Sequence, residues 1–313
     1  MNFEILKKYW IKAKKSLGQN FLVEDNILDT IASTLDISWK NILEIGPWYG
    51  ALTEKLIVLN PKSLHLVELD KEMIEILEKR KENWELNTEW IDFQIFNKDV
   101  LKFEPEFKDE EYYVIANIPY YITSPILQKF LYKIENKPEK MLILMQKDVG
   151  DKILAWQNQE ILNVKWKILN LNNKEKDLKQ IQGRFPSARE WQIIHKYKSK
   201  TKSSVLSLFI AKKSYVKEII KVPANCFVPS PKVESSVLLF ESHDNYSETD
   251  DLKFLDFIKV WFAEPRKKLV NNLSKWWYEK VSILKIFDEL WFKEDIRWED
   301  VSIDEWIELF RKI

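Results

Sequence analysis

Cysteine occurs once in the 313 residues, as Cys226. One thiol excludes a disulfide framework and leaves no zinc cluster, so a reducing, cytoplasmic setting is expected. No motif surrounds Cys226, which reads as a small buried hydrophobe rather than a nucleophile. No apolar run approaches the length needed to span a bilayer, and the first residues, Met1 to Lys8, lack a signal-peptide core. No membrane partner and no metal are therefore expected. Net charge is also missing: 49 basic residues balance 49 acidic ones, which argues against a large non-specific polyanion binder. The basic residues are nevertheless bunched, at Lys7, Lys8, Lys12, Lys14 and Lys15, at Lys196, Lys198, Lys200 and Lys202, and at Arg266, Lys267 and Lys268. Each run alone is an ordinary solvated face, and together they allow local contact with nucleic acid.

Glycine is the least expected absence. There are 5 glycines and 14 tryptophans, where glycine ordinarily makes up about 7% of residues. Several tryptophans stand where glycine is wanted: Trp48 in a turn resembling a phosphate loop, Trp39 and Trp84 in loops, and Trp291 at a helix end. The two residue types together make 19, about 6% of the chain, a normal glycine content. The expectation is that a codon recorded here as tryptophan is read as glycine in the source cell.

What is present reads as one large domain and one small. Residues 24 to 36 carry helical apolar spacing, and Asn41 to Ile45 forms a short buried strand ending at Gly46. A helix from about Ala51 to Val58, a strand from Ser63 to Asp70, and a helix from Lys71 to Lys81 follow. Strands are expected over Ile91 to Asn97, Tyr112 to Ala116 and Met141 to Met145. Ser124 and Pro125 read as the N-cap and first position of a helix through Tyr132. Alternating strands and helices of this length predict a parallel α/β sheet covered on both faces. Further on, Ser204 to Ala211 and Val233 to Phe240 read as strands, and residues 251 to 313 carry three or four helices. The polar stretch from His243 to Ser247 marks the boundary, giving a domain over 1–245 and a helical domain over 246–313.

Two constellations carry chemistry. Glu44-Ile45-Gly46-Pro47-Trp48-Tyr49-Gly50 runs from strand to helix, where glycine admits a ligand to the backbone and a helix start offers free N–H groups. Glu68 closes the next strand about twenty residues later, where a carboxylate accepts from both ribose hydroxyls of an adenosine cofactor. Asp99, after the following strand, suits an adenine amine. The glycine spacing falls short of a dinucleotide fingerprint and suits S-adenosylmethionine better. The second constellation, Asn117-Ile118-Pro119-Tyr120, ends a strand. It offers an amide oxygen, a carbonyl in or beside a stiff proline turn, and an aromatic face, which together could hold an exocyclic amine on a flat base. Alone, the tetrapeptide reads equally as an ordinary turn.

Taken together, the chain resembles the KsgA-type ribosomal RNA adenine dimethyltransferases. The resemblance rests on Lys15 to Leu22 (Lys-Ser-Leu-Gly-Gln-Asn-Phe-Leu), the Glu44 to Gly50 turn, Glu68-Leu69-Asp70, Asn117 to Ile126, and Met145 to Val149. It continues through Val222-Pro223, Phe227 to Ser235, and Arg266 to Leu273. These segments cover most of the chain in the family's order. The resemblance implies a Rossmann-like S-adenosylmethionine-dependent methyltransferase sheet with a small all-helical C-terminal domain. The cofactor would be S-adenosyl-L-methionine, with Gln19 and Asn20 lidding its methionine part beside Phe21 and Leu22, Gly46 against it, Glu68 on the ribose, and Asp99 on the adenine. Asn117, Pro119 and Tyr120 would receive the target adenine and Phe227 would complete the sandwich around the flipped base. The implied partner is small-subunit rRNA in a pre-30S-like particle, met by a monomeric, cytoplasmic enzyme of ribosome biogenesis.

Two departures stand out. An indole at Trp48, where the family has glycine, would intrude on the methionine end of the pocket. An insertion spans about 157–198. The related Erm type, which methylates large-subunit rRNA, is the nearest rival. A non-catalytic nucleic-acid-binding relative is a rival of another class, favoured if Trp48 is real. A small-molecule methyltransferase would leave the helical domain and basic runs without a purpose.

Overall fold

The computed structural model describes residues 2–107, 110–154, 205–262, 267–274, 279–290, 292–298 and 301–313. The insertion at about 157–198, the lysines at 196 to 202, Arg266 and Trp291 lie outside the described residues. The chain divides into two compact units, one formed by Met1–Gly150 with Ser214–His243, the other by Asp151–Lys213 with Asp244–Ile313. Among the described residues no helix is long and apolar enough to cross a membrane.

The first unit opens with α1 (Asn2–Lys8), β1 (Phe21–Leu22) and α2 (Asp25–Ser33). It continues through β2 (Asn41–Ile45), α3 (Ala51–Ile57), β3 (Ser63–Glu68), α4 (Lys71–Glu82), β4 (Asp92–Asn97) and β5 (Tyr112–Asn117). After α5 (Thr123–Gln128) and a π-helical turn over Lys129–Lys133 comes β6 (Lys140–Gln146). Its strands β2, β3 and β5 are buried at every position, as strands covered on both faces must be, and their polar members Glu44, His65 and Asn117 are enclosed with the apolar ones. In the helices the apolar side is buried instead, as with Met73, Ile76 and Leu77 of α4.

The seven strands lie in the order β4-β3-β2-β5-β6-β9-β7, where β7 is Ser214–Val222 and β9 is Ser235–Ser242. Strands β4 to β6 pair in parallel. The expected all-parallel sheet is corrected at one edge, because β9 runs antiparallel to both β6 and β7. The segment joining β7 to β9 contains no crossover helix, and strands joined so directly pair antiparallel. The alternating burial of β7 is a strand pattern the sequence-based expectations do not contain.

From β2 the chain leaves to β3 on one side, while β5 pairs on the other. Such a reversal opens a crevice at the carboxyl ends of the strands, where α/β sheets bind ligands. The register sets Ile45 beside both Val67 and Ala116, so Gly46, Glu68 and Asn117 emerge together into that crevice.

The second unit contains α6 (Val205–Ala211), α7 (Asp251–Phe262), α8 (Leu269–Leu273), α9 (Lys280–Glu289) and α10 (Ile303–Lys312). The expected strand over Ser204 to Ala211 is corrected to a helix. A short apolar run has the same appearance in either state, and here Leu208 and Ala211 pack with Phe254, Ile258 and Trp306 in a helical core. Buried Lys212 Nζ donates to Thr249 O at 2.9 Å and pairs with Asp251 at the start of α7. In the first unit, Ser124 is not an N-cap: α5 starts at Thr123 behind a 3-10 turn over Tyr120–Ile122.

Candidate active site

The loop after β2 is fixed from several directions. Gly46 adopts φ +68°, and a Cβ there would lie 2.9 Å from Asn117 O, so only glycine fits between β2 and β5. The other end is held by Arg80 of α4, a buried guanidinium. Its Nη1 donates to Tyr49 O at 2.7 Å, Nη2 to Glu54 at 2.7 Å, and Nε to Glu85 at 3.1 Å. The Tyr49 hydroxyl donates to Leu22 O at 3.2 Å, tying the loop to β1.

Glu68, at the end of β3, is buried with its carboxylate cradled by backbone. Oε1 accepts from Leu69 N and Asp70 N at 2.8 Å each, and Oε2 from Trp48 N at 3.3 Å. Burial pushes its pKa up to about 7 against those three N–H donors, leaving the group poised near neutrality. Glu44 in β2 is pushed further, to about 8, by burial, although Thr53 Oγ1 donates to its Oε2 at 2.7 Å. Its Oε1 has no hydrogen-bond partner among the described residues, which suits a carboxyl that keeps its proton.

Ahead of β1, the N-terminal segment crosses this edge. Gln19 is buried, its Nε2 donating to Asp70 Oδ2 at 2.8 Å and its Oε1 accepting from Lys14 N at 2.7 Å. Lys14 Nζ also reaches Asp70, at 2.6 Å, and Asp70 caps α4 through Glu72 N. These pairs hold the Asp70 carboxyl below the usual range against its burial. β1 pairs antiparallel with β8 (Phe227–Val228), Leu22 opposite Phe227, so the lid segment and the expected stacking ring are one ribbon.

Two cavities result. The larger, about 220 Å³, is nucleoside-sized and lined by Gly46, Val67, Glu68, Asp99, Ile118 and Pro119 among others. The smaller is lined by Gly18, Asn20, Asn117, Tyr120, Leu144 and Phe227, with Trp48, and holds only about 10 Å³, room for a single water. Trp48 lines both cavities. Its ring is buried edge-on to Phe21, 5.8 Å between centroids, and its Nε1 donates to Asn117 O at 2.7 Å. Tyr120 is held by a 2.7 Å hydroxyl contact to Ser235 Oγ, and burial raises its pKa.

The structure thus gathers Asn20, Asn117, Tyr120 and Phe227 on one cavity and Gly46, Glu68, Asp99 and Pro119 on the other. Gln19 faces neither: both ends of its amide are spent on Lys14 and Asp70, so it anchors the lid rather than forming a wall. Phe21 and Leu22 act at one remove, through Trp48 and Tyr49. Sequence reasoning missed Arg80, Asp70 as an anchor, and Ser235. Arg80 sits in the run Glu78-Lys79-Arg80-Lys81-Glu82, which reads as a solvated face, and Ser235 closes the Phe227 to Ser235 segment without a role of its own being legible there.

The larger cavity has room for a nucleoside and a carboxyl, Glu68, in its wall. The methionine end does not fit, because the indole of Trp48 occupies the space between Phe21 and Asn117.

The chain matches the family described as ribosomal RNA adenine dimethylase over residues 11–164 and 193–313. It is 34% identical to the ribosomal RNA small subunit methyltransferase A of Mycoplasma mobile, across 96% of this chain and 98% of that one. The protein of the same name from Mycoplasmopsis pulmonis is 30% identical, across 97% and 100%. Among solved structures, a dimethyladenosine transferase from Plasmodium falciparum superposes with a TM-score of 0.66 at 20% identity, covering 92% of this chain and 95% of that one. The 23S rRNA methyltransferase ErmE does so with a TM-score of 0.64 at 18% identity, covering 94% and 99%. The two structures share its α/β fold.

Proposed function

Because the chain belongs to the ribosomal RNA adenine dimethylase family, we propose that it transfers methyl groups from S-adenosylmethionine to the exocyclic amine of adenosines in small-subunit rRNA, giving dimethyladenosine. The observation that carries this is the convergence of Asn117, Tyr120 and Phe227 on one cavity beside a nucleoside pocket bearing Glu68 and Asp99. The curated relatives it matches along nearly their whole length are small-subunit enzymes by name, which favours this substrate over the large-subunit RNA of the Erm type.

S-adenosylmethionine, when bound, supplies an electrophilic methyl group on a sulfonium. The work of the chain is to present the amine. An adenine amine is a poor nucleophile because its lone pair is delocalised into the ring. The side-chain oxygen of Asn117 and a carbonyl of the Pro119 turn accept its two hydrogens, which favours a pyramidal nitrogen and aims the lone pair. Tyr120, braced by Ser235, and Phe227, braced by the β1–β8 pairing, stack on a base drawn out of its helix. No strong general base is required, since the methylated amine loses its proton readily to water. Glu68 holds the ribose and Asp99 the adenine of the cofactor. The partner is proposed to be a precursor of the small ribosomal subunit, met by a monomer.

Protein purified from its own cells, incubated with labelled S-adenosylmethionine, is expected to label undermethylated small subunits and not large-subunit RNA. Label confined to large-subunit RNA would overturn the assignment.

A further inference from the structure

We infer that the polypeptide made in the source cell carries glycine at positions 10, 39, 48 and 84, and that glycine at position 48 opens the passage between the two cavities. Five described residues other than glycine have a left-handed backbone. Four are tryptophans, Trp10 (φ 54°), Trp39 (φ 57°), Trp48 (φ 55°) and Trp84 (φ 59°), and the fifth is Asn60. A side chain with a Cβ rarely takes this conformation, and among ordinary residues asparagine is one of the few that tolerates it. Tryptophan has no means of doing so.

The hydrogen bonds around these residues name the turns. After α1, Ile11 N donates to Leu6 O at 2.9 Å and Trp10 N to Lys7 O at 3.2 Å. After α4, Glu85 N donates to Arg80 O at 2.9 Å and Trp84 N to Lys81 O at 3.1 Å. Both are complete Schellman caps, with tryptophan at the position where helices place glycine. Lys40 N donates to Ile37 O at 3.1 Å, so Trp39 is the third residue of a tight turn, another glycine position when φ is positive. A strained backbone persists only where packing enforces it. Side-chain packing does not enforce it at Trp10, Trp39 and Trp84, which are 84%, 78% and 75% exposed.

Position 48 is the buried member of the set, and there the argument rests on the methyltransferase reading. Its indole donates to Asn117 O and leaves about 10 Å³ where a base must enter. Its backbone N–H meanwhile donates to Glu68, a contact glycine keeps. Removing the side chain alone joins the nucleoside pocket to the cavity of Asn117, Tyr120 and Phe227.

The test is mass spectrometry of the protein purified from its source. The tryptic peptides from Tyr9 to Lys12, Asn41 to Lys55 and Glu82 to Lys98 are expected to carry the mass of glycine at positions 10, 48 and 84; tryptophan at 48 overturns the inference. In parallel, the chain with tryptophan at position 48 and its Trp48→Gly variant are compared for S-adenosylhomocysteine binding by calorimetry. The variant is expected to bind about 100-fold tighter, since each 1.4 kcal/mol is a factor of ten; equal binding would contradict the opened passage. Trp39→Gly and Trp84→Gly are each expected to raise Tm by about 2 °C or more. Trp90→Gly, equally exposed but without a left-handed backbone, is expected not to. Glycine at 48 together with cofactor binding but no rRNA methylation would refute the methyltransferase reading and leave the inference standing.

Discussion

Glu68 is a buried carboxyl whose pKa is raised from 4.5 to about 7 by burial. That rise corresponds to about 3 kcal/mol against the carboxylate form in the folded state. A carboxyl that holds its proton more tightly folded than unfolded stabilises the fold fully below pH 4.5. That contribution is lost as pH climbs through about 7. Glu68→Gln removes the titration and keeps the shape. Urea unfolding between pH 4.5 and 8.5 is therefore expected to show the parent losing about 3 kcal/mol relative to the variant. Ligand binding runs the other way. Ribose hydroxyls donate to the carboxylate, and a group of pKa about 7 is about 1% ionised at pH 5 and about 90% at pH 8. Adenosine, which needs only the larger cavity, is expected to bind roughly 100-fold tighter at pH 8 than at pH 5, by calorimetry. Glu68→Gln should bind weakly with a flat profile. If parent and variant share one pH dependence in both assays, Glu68 is neither the titrating group nor the ribose acceptor.

Three further outcomes follow from single contacts. Arg80→Ala removes the donor that Glu54 and the Tyr49 carbonyl share and leaves Glu85 only Lys8 and Tyr9; because the two carboxylates are partly exposed, the expected loss is about 2 to 3 kcal/mol, read as a drop in urea midpoint together with weaker adenosine binding. Phe227→Ala removes one wall of the base sandwich, and kcat/KM toward rRNA is expected to fall about 10- to 100-fold with adenosine binding unchanged. Asn117→Ala in the Trp48→Gly background is expected to abolish transfer, a loss of at least about 100-fold, while calorimetry shows the cofactor still bound.

What the sequence made legible is what lies contiguous in it. The strands Asn41 to Ile45 and Tyr112 to Asn117 are short, mostly apolar segments that run into Gly46 and Asn117, so the residues at the crevice announced themselves in chain order. The missed features are those made by distant partners. Ser204 to Ala211 became helix because it packs on Phe254 and Ile258, a choice its own six apolar positions cannot express. Gln19 sits in a recognisable segment, yet its amide goes to Asp70, 51 residues away. Arg80 is buried only because a loop carbonyl and two carboxylates surround it. The shortage of glycine was visible in composition alone; what each missing glycine does needed the φ angles and the Schellman caps.

The most direct test of the central claim is a transfer assay with the Trp48→Gly variant, labelled S-adenosylmethionine and undermethylated small ribosomal subunits, followed by mapping of the modified nucleotides. Dimethyladenosine in small-subunit rRNA, absent when Asn117→Ala is added, is the predicted result. Label on another base or another atom, or undiminished labelling without Asn117, would contradict it.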